Sequence, residues 1–305
     1  MHIVSNKWVS RTKFKANGTV DCFKARLVAK GFQQTLSVDY FETFNPIIKP
    51  STIRIVFTLV VTHQWSIQQI DVNNTFLNGD LQEIIYMAQP EGFVDQETPI
   101  HVCKLVKALY GLKQAPRAWF EKLKSFLVQW GFQVSNSHTS LFFCKKQSKL
   151  LMVLIYVDDI LVIDDDSTMI SQVIIDLGNQ FTLKTQGEVN YFLGFEACTN
   201  STSLVLTQTK YIHDLLIKTN MNSSKPCSNP ICLNQKPALN NSKSFDLHSL
   251  YRSTVMALQY LTMTRPNISF AVNKLNQFVH APTNNHWSTC KRILRYLQGM
   301  STIGL

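Results

Sequence analysis

Hydrophobic residues run almost without interruption from position 150 to position 163, and the only charges in that run are Asp158 and Asp159. β-Branched side chains are frequent in it and no helix cap precedes it, so the pattern predicts a buried strand rather than a helix. An unpaired carboxylate buried in such a strand is very costly. A hairpin resolves the conflict. Residues 155–157 rise to a tight turn at Asp158–Asp159 and residues 160–163 return, so both carboxylates stand at the surface of a rigid sheet, ready to hold a metal ion. The run is too short and too charged to span a bilayer.

Elsewhere the periodicity changes along the chain. Residues 7–14 and 22–30 alternate polar and apolar positions around Ala16-Asn17-Gly18, which predicts a hairpin with an Asn-Gly turn. Lys24, Arg26 and Lys30 fall on one face of its second strand, as an anion cradle or as a solvated face. Residues 52–64 have helical spacing, and 65–73 read as a strand containing Asp71. Strands follow at 83–87, 138–145 and 149–157, with a helix from Pro116 to residue 131 between them. Residues 167–179 form a helix, with the acids at 164–166 as a solvated loop or its cap. Residues 181–184, 191–196 and 203–207 are short strands. Helices are predicted at 208–219, 250–263, 268–278 and 284–297. Residues 220–246 are rich in Asn, Ser, Pro and Lys and read as a linker. The last helix turns Trp287, Ile293, Leu294 and Leu297 inward. It turns Lys291, Arg292 and Arg295 outward, where they track a nucleic-acid backbone or solvate the helix.

A chain of 305 residues exceeds one average domain, and 45% hydrophobic residues suffice for a sizeable core. The net charge of +10 and pI near 9.2 favour a polyanionic partner, nucleic acid foremost. The rival, an anionic membrane, lacks a dominant basic amphipathic helix. Seven scattered cysteines without a C-x-x-C pair fit free thiols in a reducing compartment. Cys227 and Cys232 have no second pair to complete a zinc site. His280 and His286 read as loop and helix-start residues. No apolar leader opens the chain, which begins directly in strand-like text and reads as a piece of something longer. No glycine-rich phosphate loop or protease nucleophile motif is present.

A lone aspartate at a strand end, such as Asp71, is usually a cap or turn former. Here a second source of carboxylates exists. Strand side chains alternate faces, so one sheet can bring Asp71 and Asp158 to a common side. Carboxylates on neighbouring strands can bridge two divalent cations at the roughly 4 Å separation of two-metal sites.

Tyr156-Val157-Asp158-Asp159 resembles the Tyr-x-Asp-Asp box of reverse transcriptases. Residues 24–31 (KARLVAKG), 71–81 (DVNNTFLNGDL), 86–93 (YMAQPEGF), 109–119 (LYGLKQAPRAW), 191–196 (YFLGFE) and 292–299 (RILRYLQG) are similar, in the same order, to copia-type LTR retrotransposon polyproteins. The resemblance implies an α+β right-hand polymerase. Its palm would be an antiparallel sheet backed by helices, with fingers, a thumb and a C-terminal helical connection. Residues 1–200 would hold fingers and palm, 201–246 the thumb start and linker, and 247–305 a connection preceding an RNase H domain.

By the same resemblance the activity is RNA-directed DNA polymerisation, with Asp71, Asp158 and Asp159 as catalytic residues. They would bind two Mg²⁺, for which Mn²⁺ can substitute. Lys24, Arg26, Phe76, Gly111, Gln114 and Tyr156 would bind the nucleotide, with Lys113 beside Gln114. Phe76 would leave no room for a 2′-hydroxyl. Phe192, Leu193 and Gly194 would form the primer grip. The implied partners are a primed RNA or DNA template and deoxynucleoside triphosphates, without a membrane, in a cytoplasmic retrotransposon particle. Two positions depart from the family: Met256 stands where glycine is usual, and Asp164 where a small residue is usual. They motivate a second reading, an inactive relic that keeps the fold. A metal-dependent nuclease would explain neither the basic hairpin nor Phe76.

Overall fold

The computed structural model describes residues 2–15, 17–43, 48–146, 149–199, 203–231 and 243–300, and the chain divides into two compact units, Met1–Val189 and Asn190–Leu305. The first unit opens with a two-residue strand β1 (Ile3–Val4) and a long hairpin of β2 (Asn6–Phe14) and β3 (Val20–Ala29). Gly18 takes φ +82° in its turn, a conformation that glycine adopts without steric cost. The register sets Arg11 opposite Lys24 and Val9 opposite Arg26, with Lys13 and Lys7 further along the same face. Lys30 lies beyond the end of β3, so it is not part of that face.

The chain continues through α1 (Pro50–His63), β4 (Ser66–Val72), β5 (Asp80–Ala88), β6 (Val102–Lys107) and α2 (Ala115–Trp130). Proline near the start of α1 and α2 and left-handed residues after each, Gln64 and Gly131, mark the helix ends. Then come β7 (Gln133–Ser135), β8 (His138–Lys146), β9 (Lys149–Tyr156), β10 (Asp159–Asp164), α3 (Ser167–Gln180) and β11 (Leu183–Glu188). Six of these strands form one antiparallel sheet in the order β11-β4-β10-β9-β8-β7. β1, β5 and β6 form a second, smaller sheet.

Leu123 and Leu127 of α2 and Val173 and Leu177 of α3 are wholly buried in one cluster with Ile70, Val153, Ile160 and Val162 of the larger sheet. Each such side chain contributes about 1.5–3 kcal/mol through burial. Leu151 to Ile155 are all buried, so both faces are covered at the centre of β9. That explains why this strand is apolar throughout rather than alternating. Asp164 is the buried last residue of β10 rather than part of a solvated loop, whereas Asp166 caps α3 by accepting from Thr168 N.

The second unit contains β12 (Tyr191–Phe192), β13 (Phe195–Thr199), β14 (Leu204–Thr207), α4 (Thr209–Lys218), α5 (His248–Leu261), α6 (Ser269–Asn276) and α7 (Asn284–Gly299). Its three strands form their own sheet. Residues 191–196 are therefore not one strand but a hairpin, whose two turn residues Leu193 and Gly194 both have positive φ. The units part before residue 200 because β12 and β13 pair with β14 and not with the larger sheet. Ile212 and Leu216 of α4 share a core with Val255, Leu258, Val272, Ile293 and Leu294, so the expected thumb start and C-terminal segment are one packed body. The linker residues 232–242, including Cys232, lie outside the described residues. Met256 is 59% exposed on α5. Among the described residues no helix is long and apolar enough to cross a membrane.

Candidate functional site

The strand run at 150–163 does fold into a hairpin, but its turn falls at Val157–Asp158, one residue earlier than expected. Asp159 already belongs to β10, paired with Tyr156 on one side and with Asp71 of β4 on the other. Directly paired residues of an antiparallel ladder share a face, so the sheet joins Asp71 and Asp159, and Lys184 of β11 is paired to Asp71 from its other side. Val157 has φ +55°, an outlier for a β-branched residue. Two hydrogen bonds hold the strained turn: Trp119 Nε1 donates to Val157 O at 2.7 Å, and Val72 N donates to Asp158 O at 3.0 Å. Trp119 is itself buried in α2, so the helix locks the carboxylate-bearing turn to the sheet.

Burial and then the neighbouring Asp158 raise the Asp71 pKa above the usual carboxylate range, while Lys184, Lys24 and Lys13 pull it down. Asp159 is pushed up to about 6, chiefly by burial, against a hydrogen bond from Gln69 Nε2 to its Oδ1 at 3.1 Å. Among the described residues no three acidic, histidine or cysteine side chains already form a metal-holding group. All three carboxylates are coupled through their charges: Asp158 acts on Asp71, and Asp158 and Asp71 both act on Asp159, which also accepts from the buried Gln69. Carboxylate oxygens whose mutual repulsion raises a pKa are the donors a hard divalent cation prefers.

Opposite charge stands around them. Lys24 and Lys13 on the hairpin face act on Asp71, and the Arg26 guanidinium lies 4.9 Å over the Tyr110 ring. Tyr110 meets Phe76 edge-on at 5.0 Å, and its hydroxyl is raised by burial, opposed by Arg26 and supported by Asp158 and Asp71. Tyr156 is at the surface beside the turn. The expected residues Asp71, Asp158, Lys24, Arg26 and Phe76 therefore come together, joined by Lys13, Tyr110, Trp119 and Lys184. Reading the sequence did not single out Lys13, Trp119 or Lys184 for this site. Tyr110 and Trp119 lie inside the quoted LYGLKQAPRAW stretch, while Lys13 and Lys184 carry no local signal and are recruited by strand register.

Two expected nucleotide residues serve the chain itself. Gly111 has φ +91°, and a Cβ there would lie 2.1 Å from Ala29 O; one on Gly31 would lie 1.9 Å from Gly111 O. The close approach is therefore between two backbone segments, sealed by Ala29 N donating to Tyr110 O at 2.8 Å. Gln114 is 1% exposed: its Oε1 accepts from Gln34 Nε2 at 3.1 Å and its Nε2 donates to Asp39 O at 3.0 Å. Gln114 is thus buried and bonded at both ends. In the second unit, Phe192 is buried, and a Cβ on Gly194 would lie 2.8 Å from the Tyr260 hydroxyl.

A family model described as reverse transcriptase (RNA-dependent DNA polymerase) matches residues 1–233. The chain is 46% identical over 303 residues to the retrovirus-related Pol polyprotein from transposon RE1 of Arabidopsis thaliana, covering 99% of this chain and 21% of that protein. It is 44% identical to the corresponding polyprotein from transposon RE2 of the same plant, again over 99% of this chain and 21% of that protein. To that from transposon TNT 1-94 of Nicotiana tabacum it is 38% identical over 96% of this chain and 23% of that protein. The chain thus spans about a fifth of the length of these relatives. With 1–233 under the family model and nearly the whole chain aligned to transposon Pol polyproteins, the chain belongs to the reverse transcriptase family, among its copia-type members.

Proposed function

We propose that this chain is the polymerase core of a retrotransposon reverse transcriptase, extending a primer 3′-hydroxyl on an RNA or DNA template within a retrotransposon particle. The observation that carries the reading is the meeting of opposed charges on one small surface. Asp71, Asp158 and Asp159 stand at the end of a rigid sheet, and Lys13, Lys24, Lys184 and Arg26 act on the same region. In this reading the six-stranded sheet with α2 and α3 is the palm, the β2–β3 hairpin the fingers, and the second unit the thumb and connection.

Asp71 and Asp158 would hold two Mg²⁺ ions, with Asp159 assisting from its bond to Gln69. When bound, the metal supplies Lewis-acid activation of the 3′-hydroxyl and neutralises charge on the triphosphate and pyrophosphate. Lys24, Arg26 and Lys13 gather the triphosphate of the incoming nucleotide by charge. Arg26 is pre-oriented by the Tyr110 ring, a cation–π contact worth about 0.5–1 kcal/mol at an exposed site. The edge-on pair of Phe76 and Tyr110 walls the sugar side and favours a deoxyribose. Phe192, Leu193 and Gly194 offer a rigid turn to steer the primer strand.

Primer extension on poly(rA)–oligo(dT) with dTTP and Mg²⁺ tests the reading. Asp158→Asn and Asp71→Asn are expected to abolish incorporation while leaving the melting temperature near that of the parent. Incorporation that survives Asp158→Asn would remove the site from this turn. A folded parent that binds primed template without incorporating dTTP would favour the relic.

A further inference from the structure

Gln69 lies on β4 two residues before Asp71, so the two side chains share a face of the larger sheet. It is 2% exposed. The positions around it are apolar. Leu161 of β10 stands opposite it and Leu154 of β9 opposite Leu161, both fully buried, and Ile67 precedes it on the same face of β4. Methionine or leucine would fill such a place without cost, whereas a buried amide is costly unless it is bonded. One bond that it makes leads to the carboxylate site: Nε2 reaches diagonally to β10 and donates to Asp159 Oδ1 at 3.1 Å.

The neighbouring strand on the other side is irregular at the same level. The pairing of β11 with β4 shifts between Thr185 and Gly187, and Gly187, at φ +82°, is the residue opposite Gln69. Glycine brings no side chain against the amide from that side, and bulges beside functional sites re-aim the side chains next to them. The chemistry of the donor fits as well. A primary amide donates without carrying charge. It can hold a carboxylate oxygen in one orientation and leave the negative charge of Asp71, Asp158 and Asp159 whole for a cation. A lysine or arginine in its place would also donate, but would cancel part of that charge.

We propose that Gln69 is a positioning residue of the carboxylate site, fixing Asp159 through Oδ1 so that this carboxylate is set for a divalent cation shared with Asp71 and Asp158. The proposal rests on the polymerase reading and extends it to a side chain that acts only through Asp159. Groups that orient metal-binding side chains typically contribute about 10–100-fold to affinity.

The test reads Mn²⁺ binding to the full chain from the paramagnetic resonance of the free ion. A template with a dideoxy-terminated primer and dTTP are present, so that nothing is incorporated, and binding is counted over that of template and dTTP alone. Gln69→Met keeps the volume and removes the donor, and is expected to weaken binding on the order of tenfold. Asp159→Asn is expected to weaken it to a similar extent. Gln69→Met added to Asp159→Asn is expected to change nothing further, because the amide acts through that carboxylate. In primer extension, Gln69→Met is expected to lower kcat on the order of tenfold and to regain rate as Mn²⁺ is raised. KM for dTTP is expected to stay unchanged, since Lys24 and Arg26 are intact. Should Gln69→Met fail to fold, Gln69→Asn, whose amide is one methylene short of Asp159, is expected to give the same losses. Parental Mn²⁺ affinity in Gln69→Met, or losses that add in the double variant, would overturn the proposal and leave the polymerase reading in place. Parental Mn²⁺ binding that survives both Asp71→Asn and Asp158→Asn would overturn the two together.

Discussion

Asp159 shows most directly how position sets the chemistry of a residue. Its pKa rises to about 6 through burial. The folded chain therefore holds a proton that the unfolded chain releases, between about pH 4 and pH 6. Stability falls as pH rises through that window and stays reduced above it. In EDTA at pH 7, Asp159→Asn is expected to stabilise the fold by about 1–2 kcal/mol after allowance for solvent screening, because asparagine still accepts from Gln69. Near pH 3 the gain is expected to vanish, and urea titrations at the two pH values read the difference. Val157 is the second such residue. Its left-handed backbone costs an L-residue about 1–2 kcal/mol, and asparagine tolerates it better. Val157→Asn is expected to raise stability by about 1 kcal/mol in the same titrations. If incorporation falls at the same time, the valine is serving the site at the expense of the fold.

At the scale of elements, what matters is how strands and helices hold one another. Trp119→Phe keeps the packing of α2 but removes the donor to Val157 O. It is expected to cost about 1 kcal/mol and to lower kcat for primer extension more than it changes KM for dTTP. Gly111→Ala would drive a Cβ into Ala29 O, with φ already in the left-handed region. The expected loss is roughly 3 kcal/mol or more, since neither backbone segment can yield easily. In α7, His286 is buried against Phe278, and its Nδ1 accepts from Thr283 N to close a capping box. Burial lowers its pKa below the ordinary 6.5. Its contribution is full above the unfolded value and is lost as pH falls through the folded one. His286→Gln keeps an acceptor at that position and cannot titrate. It is expected to flatten the acid limb of the melting temperature against pH.

At the scale of the whole molecule, each unit has a large core of its own among the described residues. Leu123 and Leu258 are both fully buried, one in each. Each leucine-to-alanine change is expected to cost about 2–5 kcal/mol. Hydrogen exchange is expected to report the loss in the unit that contains the change. The surplus of positive charge also belongs to the whole chain. It supports a polyanionic partner, yet only folding decides where that charge is concentrated: on one face of the β2–β3 hairpin and around a cavity lined by Lys274 of α6 and Lys291, Arg292 and Arg295 of α7.

Much was legible because it is local. The apolar run at 150–163 had to be buried strand, two adjacent aspartates in it had to lie near a turn, and Pro116 and Gly131 bracket a helix whatever surrounds them. The motifs quoted from 24–31 to 292–299 were enough to identify the family, since residue identity and order survive without coordinates. Register was not legible. The turn sits at Val157–Asp158 because Asp159 pairs with both Tyr156 and Asp71, and a one-residue shift of this kind depends on partners far away in the chain. Lys30 shared a period with Lys24 and Arg26 but fell outside the strand. Gln114 read as a surface contact, and only the packing of Gln34 and Asp39 around it shows that it is buried. Sequence alone determined most of the elements, what they are made of and to which family the chain belongs, because propensity, hydrophobic period and motif act over a few residues. Tertiary structure alone decided which charges meet, because strand pairing and side-chain burial bring together residues as distant as Lys13 and Lys184.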